Sequence, residues 1–141
     1  MAFKALEGVR VLEYCGTNTG PYCTKLMADL GAEVIHVEPP NTGDDARRSP
    51  PFPGDVPHPE KSGMFLFLNT NKLGITLSPR LPRGKEIFEQ LVGKVDVLVV
   101  DWPPGHMEEL GLGYDDLKER HPGLIVASIT PFGRSGPYKD Y

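Results

Sequence analysis

Cysteine is scarce in this 141-residue chain: only Cys15 and Cys23 occur. Their spacing suits neither a CxxC redox pair nor a zinc-finger ligand set, and two are too few for the disulfide framework of a small secreted domain. Two free thiols in a reducing cytoplasm are therefore expected. Long apolar runs are missing too. Met64–Leu68 and Val97–Val100 fall far short of the roughly 18 residues that a membrane span needs. Met1–Glu7 holds one lysine with no apolar stretch after it, so no secretory leader is expected. Basic charge is not in excess either. The 15 Lys and Arg stand against 19 Asp and Glu, a net charge of −4, whereas a nucleic-acid-binding domain is usually basic. Neither nucleic acid nor membrane is an expected partner.

What the chain has in quantity is backbone punctuation: 16 Gly and 15 Pro. That excludes a coiled coil or a bundle of long uninterrupted helices. The length suits one domain with a core of its own. Val9–Tyr14 reads as a strand, followed by the small-residue loop Gly16-Thr17-Asn18-Thr19-Gly20. A helix opens near Pro21, carries Leu26, Met27 and Leu30 at helical spacing, and stops at Gly31. Ala32–Glu38 is the next strand, closed by Pro39-Pro40, which completes a βαβ unit with parallel strands. Residues 41–62 hold Pro50, Pro51, Pro53, Pro57 and Pro59 and predict a long excursion, either a functional loop or a mobile segment. Met64–Leu68 is apolar on every side and is expected to be buried, as helix or strand. Further on, Ile75–Leu77 predicts a strand, Pro82–Val92 a helix stopped at Gly93, and Val95–Val100 a strand buried on both faces. Short helices are expected at Gly105–Leu110 and Tyr114–Arg120, then a last strand at Leu124–Ile129. The alternation predicts an α/β fold with an open, mostly parallel sheet and helices on both faces.

Ligands of such sheets bind outside the carboxyl ends of the strands. Three loops qualify. Gly16–Gly20 lacks the G-x-G-x-x-G spacing and the lysine of a P-loop, which argues against a usual dinucleotide site. It can still admit an anion at the helix N-terminus, or be a plain βα turn. Glu38 ends the second strand, where an acidic residue often meets a ribose hydroxyl. Trp102 follows the most buried strand and either stacks on a purine or caps the core. Catalytic constellations are poor. His36 reads as a core or edge histidine rather than a base, and His106 and His121 lack partners at metal-ligand spacing. Asp44, Asp45, Arg47 and Arg48 form either a phosphate cradle or, by default, a solvated charge patch. Asp115 and Asp116 read as helix-capping residues.

Several segments occur together in a recognisable order. The chain opens A-L-E-G-V-R-V-L-E-Y and continues G-P-Y-C-T-K-L-M-A-D-L-G-A-E-V-I-H-V-E-P through Pro39. Then follow Gly43-Asp44-Asp45-Ala46-Arg47, Asn69-Thr70-Asn71-Lys72, Asp96-Val97-Leu98-Val99, Leu110-Gly111-Leu112-Gly113-Tyr114 and the closing Ser128–Tyr138. In this order they resemble the N-terminal part of the class III CoA-transferases, the formyl-CoA transferase and carnitine CoA-transferase (CaiB/BaiF) family. The resemblance spans nearly the whole chain. It implies a single Rossmann-like CoA-binding domain over 1–141, forming part of a longer fold whose polypeptides interlock as dimers. It implies CoA or an acyl-CoA as substrate rather than a resident cofactor, and a cytoplasmic enzyme moving CoA between carboxylic acids. CoA contacts are implied at Asn18, Thr19, Pro39, Leu77, Arg80, Asp101, Trp102 and Phe132.

No aspartate here matches the family's nucleophile, which forms acyl-aspartyl anhydride and aspartyl-CoA thioester intermediates. It is expected beyond residue 141, and no catalytic residue is assigned. The α-methylacyl-CoA racemases share this N-terminal region, so racemase chemistry is an alternative, as is a non-catalytic structural or regulatory subunit. The charge pattern also departs from the family. Asn71-Lys72-Leu73-Gly74 stands for its N-K-R-S, Glu108-Glu109-Leu110-Gly111 for its E-R-L-G, and Asp101-Trp102-Pro103-Pro104 for its N-F-R-P. Fewer cations should weaken the hold on CoA phosphates. A domain lacking the rest of its fold should expose apolar surface and self-associate or pair with a homologous subunit.

Overall fold

The computed structural model describes residues 4–141; residues 1–3, part of the stretch read for a leader, lie outside the described residues. The strands are β1 (Arg10–Tyr14), β2 (Glu33–Glu38), β3 (Leu73–Thr76), β4 (Val97–Val100) and β5 (Ile125–Ser128). The helices are α1 (Thr19–Asp29), α2 (Gly63–Leu68), α3 (Pro82–Val92), α4 (His106–Glu109) and α5 (Tyr114–Arg120). All five strands are parallel, in the order β3-β2-β1-β4-β5. The run Val97-Leu98-Val99-Val100 is buried throughout, as a central parallel strand with covered faces requires. Leu12, Tyr14, Val37, Leu98 and Val100 pack under Phe88 and Val92 of α3, Met107 of α4 and Leu117 of α5. Val11, Val34, Val97 and Val99 face the other way, toward Ala28 of α1. Among the described residues, no helix is long and apolar enough to cross a membrane.

Local signals place the ends of the elements. Pro82 opens α3, where its missing N–H costs nothing, and Gly93 closes it. Gly31, at φ 101°, turns the chain from α1 into β2, a backbone conformation that disfavours other residues. α1 begins two residues before Pro21, with Asn18 as its N-cap residue.

Met64–Leu68 departs from expectation. It is a helix, but only Leu68 is buried, while Leu66 and Phe67 are 56% and 53% exposed. A short helix points its side chains all round, and only one side of α2 meets the rest of the fold. Phe67 instead stacks on the exposed Tyr22 of α1, ring centroids 6.3 Å apart. The strand expected at Ile75–Leu77 runs from Leu73 to Thr76.

The proline-rich excursion forms a pinned wall. The Ser62 hydroxyl lies 2.6 Å from the carbonyls of Ala46 and Ser49 and accepts from the Phe65 N–H, capping α2. Arg47 donates twice to Glu38, from Nε to Oε2 at 2.7 Å and from Nη2 to Oε1 at 2.8 Å, and lies over the Phe65 ring. So Glu38 spends its carboxylate on Arg47 and the Asp44 N–H, rather than standing free for a ribose.

Candidate functional site

The strand order reverses between β1 and β4, so the loops that follow them diverge and leave a crevice at their carboxyl ends. A cavity of about 190 Å³ opens there. Pro39 after β2, Leu77 and Arg80 after β3, and Trp102 after β4 meet around it, with Tyr14 and Gly16 from β1 and its loop. Four residues from three separate loops thus converge on one site. Asn18 and Thr19 are exposed on the α1 turn; Thr19 lines a neighbouring cavity with Thr17, Asp101, Thr130 and Pro131. Phe132 lies apart from both cavities, exposed, packed against Tyr138 and Tyr141.

An anion does sit at the N-terminus of α1, and it is the chain's own Asp101. Its carboxylate accepts from the N–H of Gly16 at 2.6 Å, of Thr17 at 3.2 Å and of Gly20 at 3.2 Å, and from the Thr17 hydroxyl at 2.5 Å. Asp101 therefore ties the β4 loop to the β1 loop and fixes the floor of the crevice. Replacing it with Ala should cost about 2 kcal/mol, because Gly20 loses a buried acceptor while the exposed Thr17 can turn to water. Urea unfolding of Asp101→Ala measures this; an unchanged midpoint would show that the ties carry no weight.

Trp102 is partly buried. A side chain at Gly16 would come within 2.6 Å of the indole, so only glycine permits this approach. His106 stacks on the indole with centroids 4.5 Å apart and planes 10° from parallel, and Tyr14 packs against both rings. Arg80 reaches His106 at 3.4 Å.

Sequence comparison fixes the family. The pattern of CoA-transferase family III matches residues 6–141. This chain belongs to that family. It is 44% identical over 137 residues to a Rhodopseudomonas palustris protein named formyl-CoA:oxalate CoA-transferase, covering 97% of this chain and 31% of the relative. It is 42% identical to mouse succinyl-CoA:glutarate CoA-transferase over 137 residues, 96% of this chain and 30% of that one. Among solved structures, a CaiB/BaiF family protein from Brucella suis superposes with a TM-score of 0.86 at 35% identity, over 97% of this chain and 36% of the other. The chain thus spans less than a third of the length of these curated relatives.

This family III member carries behind the crevice a buried charge cluster that the sequence reading missed. Glu13 and His36 are register partners on β1 and β2 and face the same side. The Glu13 carboxylate is fully buried. It lies 2.8 Å from His36 Nδ1, accepts from Lys72 Nζ at 2.8 Å and accepts from the Thr24 hydroxyl at 2.5 Å. Lys72 also donates to the Pro21 carbonyl and to Asn69 Oδ1. On its other side, His36 Nε2 forms an ion pair with Asp44 at 3.3 Å. Burial alone would lower the His36 pKa, but Asp44 and Glu13 outweigh it and hold it at about 9. Burial pulls the Lys72 pKa down, with Glu13 opposing. Burial would raise that of Glu13, but His36 and Lys72 hold it below the usual range. His36 is thus a core histidine, as expected, and a charged one. One cue was visible beforehand: two ionisable residues inside otherwise apolar strands, each needing a partner.

The same cluster corrects the reading of the Asp-Arg patch. Asp44 is drawn inward to His36 and Arg47 to Glu38, so only Asp45 and Arg48, paired with each other, form a solvated couple. Arg47 is not free for phosphates. Among the described residues that line the cavity, Arg80 is the one cation, against the carboxylates of Asp44 and Asp45. No group of three or more His, Cys, Asp or Glu among the described residues is placed to hold a metal ion.

Proposed function

We propose that this chain is the N-terminal CoA-binding portion, a single domain, of a cytoplasmic enzyme that moves CoA between carboxylic acids through an aspartyl-CoA intermediate. The observation that carries this reading is the meeting of Pro39, Leu77, Arg80 and Trp102 around one crevice at the strand ends. An aromatic ring, apolar walls and a guanidinium suit the base, the pantetheine arm and the phosphates of a CoA thioester. The nucleophilic aspartate belongs to a later segment of the family's fold. It attacks the thioester carbonyl and expels CoA thiolate; the thiolate then attacks the mixed anhydride, leaving aspartyl-CoA and the free donor acid. The acceptor carboxylate repeats the two steps in reverse. The relatives' names each join two carboxylic acids through CoA, and the substrate class proposed here is the same.

Calorimetric titration with CoA and acetyl-CoA, with NADH as control, tests this. Saturable CoA binding without NADH binding is expected; no CoA binding would overturn it. A non-catalytic subunit is a second reading, favoured by the two cavity carboxylates that oppose Arg80. Co-purification with a full-length homologue would support it. Under either reading the exposed Tyr22, Leu26, Leu66 and Phe67 are expected to be covered by a second copy or a homologous chain.

A further inference from the structure

Trp102 and Arg80 come from different loops, after β4 and after β3, yet one side chain touches both. His106, the first residue of α4, lays its ring parallel to the Trp102 indole at 4.5 Å and holds Nδ1 3.4 Å from Arg80 Nη2. A guanidinium has no acceptor, so Arg80 donates and Nδ1 accepts, which places the imidazole proton on Nε2. His106 does not line the cavity, whereas Trp102 and Arg80 both do. It stands behind them.

Resting on the CoA reading above, we propose that His106 is a positioning residue. Its neutral ring backs the Trp102 indole by stacking and steers the Arg80 guanidinium by accepting its hydrogen bond. The aromatic wall and the cavity's cation are thereby set as one unit toward an anionic nucleotide-bearing ligand. Protonation of His106 undoes the unit: Nδ1 loses its acceptor lone pair and a second cation faces Arg80. The groups around the ring agree. Burial and Arg80 lower the His106 pKa, Glu109 of α4 opposes them, and Tyr14 of β1 adds a neutral phenol. His106 is therefore biased toward its neutral form, and acidification is what charges it. Among the described residues neither His106 Nε2 nor Trp102 Nε1 has a hydrogen-bond partner, so Glu109 favours the charged form through its charge alone, without a hydrogen bond.

The test follows the emission of Trp102, the chain's one tryptophan, in the full chain. Dephospho-CoA is the ligand, because it lacks the 3′-phosphate monoester that itself titrates near pH 6. Wild type is expected to lose about tenfold in affinity between pH 8 and pH 5, the scale of one charge-assisted hydrogen bond. His106→Gln keeps an acceptor without a titrating nitrogen, so its affinity should vary little with pH. His106→Phe keeps a ring on the indole without the acceptor, and should bind about tenfold more weakly at pH 8 with little pH dependence. Wild-type affinity in His106→Phe, or a wild-type pH profile in His106→Gln, would overturn the proposal.

A ligand-free arm separates this proposal from the CoA reading. An imidazolium stacked on an indole quenches it, so wild-type emission should fall on acidification and His106→Gln should stay flat. Arg80→Met should move the wild-type midpoint upward, because the repelling charge is gone. An unmoved midpoint overturns the coupling of His106 to Arg80, whatever the ligand. If that midpoint moves but wild type binds no dephospho-CoA at pH 8, the CoA reading fails while the His106–Arg80 coupling stands.

Discussion

Glu13→Leu should destabilise this fold by about 3–5 kcal/mol, the scale set by removing one partner from a buried ion pair. The carboxylate is fully buried and is the shared acceptor for Lys72, His36 and the Thr24 hydroxyl. Leucine fills similar space but leaves the Lys72 ammonium, itself 1% exposed, with only the Pro21 carbonyl and Asn69 for company. At roughly 3–4 °C per kcal/mol for a chain of this length, the melting temperature should fall by about 10–20 °C. The double variant Glu13→Leu with Lys72→Met removes the stranded ammonium and should recover part of that loss, a coupling of about 1 kcal/mol or more. Urea unfolding of the wild type, both single variants and the double variant gives the cycle. If Glu13→Leu costs less than about 1 kcal/mol, or the two changes are additive, the cluster is not the brace described here. Lys72 matters beyond its own contact: it ends the Asn69–Lys72 turn between α2 and β3, and its ammonium reaches back across α1 to β1.

The frame of this fold was legible because it rests on local patterns. Val97–Val100 reads as a buried strand from its unbroken apolar run, and α3 from Ile87, Leu91 and Val92 at helical spacing between Pro82 and the stop at Gly93. Met64–Leu68 was misread because an apolar run shows that burial is available, not that a covering surface exists. The crevice was half legible. Strand order and loop position foretell a site at the carboxyl ends, and the family resemblance pointed to Pro39, Leu77, Arg80 and Trp102, which the fold does gather. What lay out of reach was pairing at long range. Asp101 folds back onto a loop more than 80 residues earlier, and Glu13 meets a lysine 59 residues later. Periodicity carries no trace of such partners. Only the strand register, which sets Glu13 beside His36, turns two isolated oddities into one cluster.

The His36 part of that cluster should make the protein lose stability as pH rises from 6.5 to 9. The folded-state pKa, about 9, lies above the unfolded value of 6.5. A raised histidine pKa contributes its full stabilisation below pH 6.5, and that contribution drains away as pH climbs through the folded value. The shift corresponds to something on the order of 3 kcal/mol between pH 6 and pH 9.5. The carboxylates behave in the opposite sense. Glu13, Glu38 and Asp44 are held below their usual values, so their contribution is present above about pH 4.5 and is lost on acidification. Maximal stability is therefore expected near pH 5–6.5, with the alkaline slope belonging to His36. His36→Gln should flatten that slope while lowering stability at pH 6, because Glu13 and Asp44 lose the cation between them. Thermal melts at pH 6, 7.5 and 9 on both proteins decide it: an alkaline slope that survives in His36→Gln would assign it to another group. Loss of the His36 charge also frees Asp44, whose residue lines the crevice. The same melts with CoA present should then show its stabilising effect shrinking toward pH 9, as the wall that His36 anchors comes loose.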